Sequence, residues 1–273
     1  LSAAERDSLL KGEDGLLSMD EVIEFAQDGL KLFHDFHDKH RDEVDRFGVV
    51  PALNMCLVDD AGNADYYHGR IRVADDDKNV VREFDYHDYL DHISEAVEAW
   101  SYMKFPFLKE LGREAGSVRV GPLARMNVTR ALPTPLAQAA LERFHAYTEG
   151  KANNMTLHTN WARTIEVIHA AEVIRDLLHD PDLQDDRLVL TPPPGAWTGE
   201  GVGVVEAPRG TLLHHYRANR TGDISFVNLI VSTTQNNQVI NRTVRSVADA
   251  YLCAVLNWNQ AVKLDFSAYP AIQ

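Results

Sequence analysis

Gly199 to Asn237, GEGVGVVEAPRGTLLHHYRANRTGDISFVNLIVSTTQNN, reads as a bent β-hairpin carrying one arginine at its bend. Val202, Val204, Leu212, Phe226, Leu229 and Val231 supply the partly alternating apolar pattern of half-buried strands, and Arg220-Thr221-Gly222-Asp223 supplies a turn. Ala207-Pro208-Arg209-Gly210 interrupts the first strand. Proline removes a ladder donor and glycine accepts unusual dihedrals, so the interruption is expected to be a bulge that aims Arg209 away from the sheet. A buried arginine must face an anion or a strong acceptor to offset its desolvation, and Glu206 is the nearest candidate for a plain salt bridge. His214 and His215 should point to opposite faces of a regular strand. Ser232, Thr233 and Thr234 are expected on the neighbouring strand, before a helix over Asn237 to Val247.

Upstream of this stretch the pattern is mixed. Ser2 ahead of Glu5 has the spacing of a capping box for a short first helix, and Ser18 can cap a long amphipathic helix over Met19 to Asp45. His34, His37 and His40 on that helix could place two metal ligands on one face, but their setting among Asp35, Asp38 and Lys39 reads as a solvated polar face. Val49 to Val58, Tyr66 to Val73 and Val80 to Phe84 read as strands joined by the Asp59–Asn63 and Asp75–Asn79 turns. A calcium loop would need about twelve residues with alternating oxygen ligands, which neither turn has.

Tyr86 to Trp100 is expected to be a helix, followed by an aromatic corner of Trp100, Tyr102, Phe105 and Phe107 that fills core. Val118 to Arg130 reads as a short strand, a Gly-Pro break and a basic segment in which Arg119 and Arg125 could bind an anion or clamp an acidic segment. Thr134 to Tyr147 and Thr156 to Leu178 are helical, with His158 and His169 expected as satisfied core or boundary residues. Asp180 to Gly199, with its proline run, is a loop leading into the opening stretch.

At 273 residues and 45% hydrophobic, the chain can bury a sizeable core. A net charge of -14, from 27 basic against 41 acidic residues, argues against nucleic-acid binding. No apolar run approaches a membrane span, and two lone cysteines, Cys56 and Cys253, fit a reducing compartment.

EAPRGTLLHHY and LIVSTTQNN resemble the large subunit of nickel-iron hydrogenases, in particular the cytoplasmic, bidirectional, NAD(P)-linked branch. The resemblance continues through VDDAGNADYYHGRIRV (Val58 to Val73), YLDHISEAVEAWSYMKFPFLKELG (Tyr89 to Gly112), VRVGPLARMNV (Val118 to Val128) and WARTIEVIHAAEVI (Trp161 to Ile174). It implies an α+β fold, mainly helical, with a helix bundle and peripheral β-hairpins. Residues 1–252 would form an interior part of the large-subunit domain, and the tail 253–273 does not match the family.

The family holds nickel and iron with two Cys-x-x-Cys pairs, and this sequence has neither, so no metal ligand is assigned in this chain. By resemblance Arg209 is the catalytic arginine over the nickel-iron centre, where it stabilises the cyanides of iron and polarises dihydrogen or accepts its proton. Pro208 fixes its approach, and the hydroxyl of Thr233, with Ser232 beside it, donates to a metal-bound cyanide. Arg125 and Glu206 are candidates for support of the site.

The implied activity is reversible oxidation of dihydrogen, coupled to NAD(P) reduction through an iron-sulfur small subunit and a diaphorase module. The centre would carry cyanide and carbonyl ligands, and the chain alone is expected to be inactive. A metal-free hydrogenase-like structural subunit of an electron-transfer complex is the alternative.

Overall fold

A computed structural model of the chain describes residues 2–13, 15–184 and 198–252. Helices α1 (Ala3–Lys11) and α2 (Met19–Lys39) both start at the expected serines. In each, the serine side chain accepts the N–H three residues on, and the glutamate there accepts the serine N–H, at 2.9 Å for Ser2 and 2.8 Å for Ser18. The long helix expected through Asp45 breaks at His40, whose φ of -125° leaves helical geometry, and α3 (Arg41–Arg46) follows. That break turns Asp45 back towards His37.

The first sheet has strand order β3-β2-β1-β6. Its members are β1 (Leu53–Val58), β2 (Arg70–Ala74) and β3 (Val80–Phe84), all antiparallel, and β6 (Val118–Arg119), parallel to β1. β2 starts four residues later than expected because the Asp65 carboxylate accepts the N–H groups of Tyr67 and His68, which bends the chain there. Asp59 and Asp75 each accept two backbone N–H groups within their own loops, the behaviour of turn residues.

Tyr86 to Trp100 departs most from expectation. A 3-10 turn at Tyr86–Asp88 and the short α4 (Tyr89–His92) give way to β4 (Ile93–Ala96), paired antiparallel with β5 (Phe105–Leu108). Pairing of Ile93 with Leu108, both buried, overrides the helical spacing. The aromatic corner is not core: Phe105 is buried, but Trp100 lies in the loop of this hairpin and Tyr102 is fully exposed.

After α5 (Gly112–Ala115) and β6, α6 (Pro122–Val128) is buried at every residue and packs against both β1 and the helices. On one side it joins α2, α7 (Pro135–Tyr147) and α8 (Thr159–Leu177) around Leu141, Phe144, Trp161, Ile165 and Ile168. A second hydrophobic cluster gathers Met55, Leu57, Ile71, Val118, Leu213 and Ile230.

The C-terminal part is a three-stranded antiparallel sheet rather than one bent hairpin: β7 (Glu200–Ala207), β8 (Gly210–Ala218) and β9 (Ile224–Ile230). Its inner face carries Leu213 and Ile230 into the core, while Val227 and Leu229 on the outer face stay exposed. Helices α9 (Ser232–Gln235) and α10 (Asn237–Val247) follow. The proline run at 192–194 and the tail from 253, with Cys253, lie outside the described residues. No helix among the described residues is long and apolar enough to cross a membrane.

Candidate functional site

The expected bulge is a tight turn. Ala207 pairs with Gly210, leaving Pro208 and Arg209 as a two-residue loop between β7 and β8. Gly210, at φ +127°, has no room for a side chain, since a Cβ there would lie 2.6 Å from the Gly121 nitrogen. Gly121, at φ +104°, is in the same position: its Cβ would lie 2.8 Å from the Arg209 carbonyl oxygen. The two glycines let the turn dock backbone against backbone on the start of α6.

Arg209 is exposed and opens onto a cavity of about 390 Å³. Its expected partner Glu206 is engaged elsewhere, and Arg209 has no hydrogen bond or ion pair with another described residue. The cavity is also lined by Arg163, Thr233 and Asn236, with Val239 and Ile240 of α10 giving it an apolar side, and among the described residues no acidic side chain contributes to it. The hydrophobic spacing of α8 hides Arg163, because the residue looks like any solvated helix position. Among the described residues this cation also has no carboxylate partner.

Thr233 and Ser232 lie on α9, not on a strand. Gln235 N–H bonds to the Val231 carbonyl and closes a helical turn there. The turn separates the two hydroxyls. Thr233 is exposed to the cavity, whereas Ser232 is buried and donates to the Gly210 carbonyl at 2.7 Å. Asn236, not singled out in the sequence, brackets Val120 by accepting its N–H at 2.9 Å and donating to its carbonyl at 3.1 Å.

Arg119 and Arg125 do not act as a pair. Arg119 donates to Asn154 and to the Val50 carbonyl, and burial pushes its pKa down to about 10. Arg125 is the centre of a buried bridge. Its Nε and Nη2 fork onto Glu166, the latter at 2.9 Å, and its Nη1 donates to Glu206 at 2.7 Å and to the Ala207 carbonyl at 3.0 Å. Burial opposes the charge on Arg125, but the two carboxylates outweigh it and raise its pKa. Complete burial likewise pushes the Glu206 carboxyl up, against Arg125, Thr211 and the Leu57 N–H, all of which donate to it.

His215 faces inward and bonds Tyr89 and Glu200, while His214 faces out, as strand alternation requires. His169 is buried and satisfied by Thr134 at 2.9 Å. His37 corrects the solvated-face expectation, because it is buried and lies 2.9 Å from Asp45. Asp45 also receives His158 at 2.9 Å and Tyr147 at 2.6 Å. This His-Asp-His group has the composition of a metal site.

Its hydrogen bonds assign it differently. Met155 N–H holds the Asn153 side-chain oxygen, so the Asn153 amide donates to His158 Nδ1 at 2.8 Å, and the proton of His158 sits on the Nε2 that faces Asp45. A nitrogen that carries a proton is no ligand, and the group is a hydrogen-bond hub that ties α2, α3, α7 and the start of α8 together.

Burial pushes the His158 pKa down to about 4, although Asp45 pulls the other way. Unfolded histidine titrates near pH 6.5, so between those values the unfolded chain holds a proton that the folded chain refuses. This contribution is whole above about pH 6.5 and shrinks as pH falls towards 4. His145 and His169, also lowered by burial, act with the same sign. The thermal midpoint should therefore fall from about pH 7 to about pH 4.5, and His158→Asn should flatten that dependence. A midpoint flat across this range in the unsubstituted protein would contradict the account.

Among the described residues the cavity presents hydrogen-bond donors and several cations but no cysteine. Cys56 lies in β1, fully buried and not in the cavity lining, and burial pushes its thiol up. The described residues therefore fit the donor side of an anionic group whose ligands come from elsewhere.

Residues 39–251 match a family model described as nickel-dependent hydrogenase. The chain is 77% identical over 252 residues to the NAD-reducing hydrogenase HoxS subunit beta of Cupriavidus necator, covering 92% of this chain and 52% of that protein. A crystal structure of an NAD+-reducing NiFe-hydrogenase in the H2-reduced state superposes with a TM-score of 0.86 at 38% identity, covering 94% of this chain and 55% of that one. A NiFeSe hydrogenase from Desulfomicrobium baculatum, at 19% identity and a TM-score of 0.55, covers 80% of this chain and 49% of its own, and shares the fold. The chain spans about half the length of the relatives it matches.

Proposed function

The chain belongs to the nickel-dependent hydrogenase family, and we propose that it is the interior part of a catalytic subunit that reversibly oxidises dihydrogen. The observation that carries this reading is the meeting of the unpaired Arg209 and the Thr233 hydroxyl at one cavity whose lining, among the described residues, has no acidic side chain. In the complete protein, electrons pass through the iron-sulfur cluster of a small subunit to a diaphorase module that reduces NAD(P), in the cytoplasm.

A nickel-iron centre with cyanide and carbonyl ligands, once bound by cysteines outside this sequence, supplies the Lewis acidity that activates dihydrogen. The residues of this chain work around it. Arg209 presents a permanent, planar, multiply donating cation at the cavity, where Pro208 limits the conformations of its backbone. Its Nη groups would donate to anionic ligands of such a centre, and its charge would polarise the substrate. The Thr233 hydroxyl, which lines the same cavity, would donate a second hydrogen bond to such a ligand. Ser232, Arg125 and Glu206 act one layer back, on the backbone that carries these two side chains.

The test is made on the full-length subunit coexpressed with its small subunit, diaphorase and maturation proteins. Stoichiometric nickel and iron together with dihydrogen-dependent reduction of NAD(P) is the expected result. A full-length subunit that assembles without nickel and gives no such reduction would instead be the metal-free structural subunit of an electron-transfer complex.

A further inference from the structure

Three consecutive supports hold the backbone on either side of Arg209, and all of them come from buried side chains. Arg125 Nη1 donates to the Ala207 carbonyl at 3.0 Å, immediately before the turn. Ser232 Oγ donates to the Gly210 carbonyl at 2.7 Å, immediately after it, and Gln235 donates to the next carbonyl, that of Thr211. The Arg209 carbonyl itself rests on Gly121, where there is no space for a methyl group. Such an arrangement leaves the arginine side chain free while its backbone is fixed.

Among these supports Arg125 is the one that cannot yield. Its fork onto Glu166 sets the plane of the guanidinium, and its Nη1 protons are shared between Glu206 and the Ala207 carbonyl. Glu206 is pinned in turn by the Leu57 N–H of β1 at 3.0 Å and by Thr211 at 2.7 Å. The Tyr66 ring lies 5.8 Å from the guanidinium carbon. The bridge thereby ties α6, α8, β1 and β7 into one frame with the turn at its end.

From this geometry we infer that Arg125 is a positioning residue for Arg209: it locks the Pro208-Arg209 turn at the mouth of the cavity through the Ala207 carbonyl and Glu206. The effect on the turn follows from the structure alone. Its consequence for turnover rests on the function proposed above.

Arg125→Lys is the informative variant, because it keeps the buried charge but replaces a planar fork with a point donor that cannot serve Glu166, Glu206 and Ala207 together. Amide exchange is measured on the 273-residue chain, alongside Ser232→Ala, which removes one support without touching the bridge. Leu141→Ala, in the other hydrophobic cluster, serves as a control for general loss of stability. In Arg125→Lys, exchange at Gly210, which closes the turn against Ala207, should rise by about tenfold relative to that of the α7–α8 core, and in Ser232→Ala by a few-fold, with no selective rise in the control.

Exchange at the turn in Arg125→Lys no faster than in the control would overturn the inference, whatever Ser232→Ala shows. If Arg125→Lys fails to fold, Glu206→Gln, which weakens the same Nη1 contact while keeping the side-chain shape, should raise exchange at the turn selectively, and no rise there would overturn the inference. In the assembled full-length subunit, Arg125→Lys should lower kcat with unchanged nickel content and an unchanged KM for dihydrogen. A loosened turn with unaltered kcat would uphold the positioning role and refute the part assigned to Arg209.

Discussion

Arg209→Lys should lower dihydrogen turnover of the assembled full-length subunit by about 10²-fold, the usual cost of losing one preorganised donor at a reacting charge. It should change the stability of the chain by less than about 0.5 kcal/mol. The two halves of this expectation have separate origins. Arg209 is exposed at a turn and has no described partner, so the fold loses nothing when the side chain changes. Lysine keeps the charge but offers a single tetrahedral point instead of a planar set of N–H groups, so at the proposed site it could not present two aligned N–H groups at once to an anionic ligand. Turnover by hydrogen-dependent dye reduction and thermal melting measure the two. Wild-type turnover would remove Arg209 from the site, and a melting loss of many degrees would mean that it has a structural partner in the complete protein.

The second large effect is on stability. Glu206→Ala should destabilise the chain by about 3–5 kcal/mol, the range for breaking a buried ion pair from one side. The carboxylate side chain is fully buried and accepts from Arg125, from the Leu57 N–H and from the Thr211 hydroxyl. Its removal leaves the last two without an acceptor and Arg125 balanced by Glu166 alone. Domains are stable by only about 5–15 kcal/mol, so this loss is a large share of the total. Glu206→Gln, which keeps the shape and one acceptor oxygen, should lose less. Urea denaturation of the three proteins measures both, and a cost below about 1 kcal/mol for Glu206→Ala would show that the bridge does not hold the sheet to α6.

Both residues could be singled out from the sequence, but their surroundings could not. Ser2 and Ser18 each cap a helix through a glutamate three positions on, and the outward and inward faces of His214 and His215 follow from strand geometry. Pro208-Arg209-Gly210 announces a break, and a proline-arginine pair before glycine suits a two-residue turn as well as a bulge. Which of the two forms depends on whether Ala207 meets Gly210 across the ladder. In the same way, Ser232-Thr233-Thr234 has strand propensity and helix-capping chemistry at once, and the contact with β8 decides for the helix.

Thus the sequence by itself determined the caps, the alternation and the arginine at the chain break, all set by interactions that reach only a few residues along the chain, while the class of fold followed from the family resemblance. Tertiary structure decided what those residues touch. Arg125 meets Glu166 and Glu206, 41 and 81 residues away, and Asp45 meets His158, 113 residues away. No local pattern encodes such pairings, because any of several carboxylates could satisfy each cation until packing of α6 against the helices and the first sheet excludes water and leaves Arg125 facing Glu166 and Glu206.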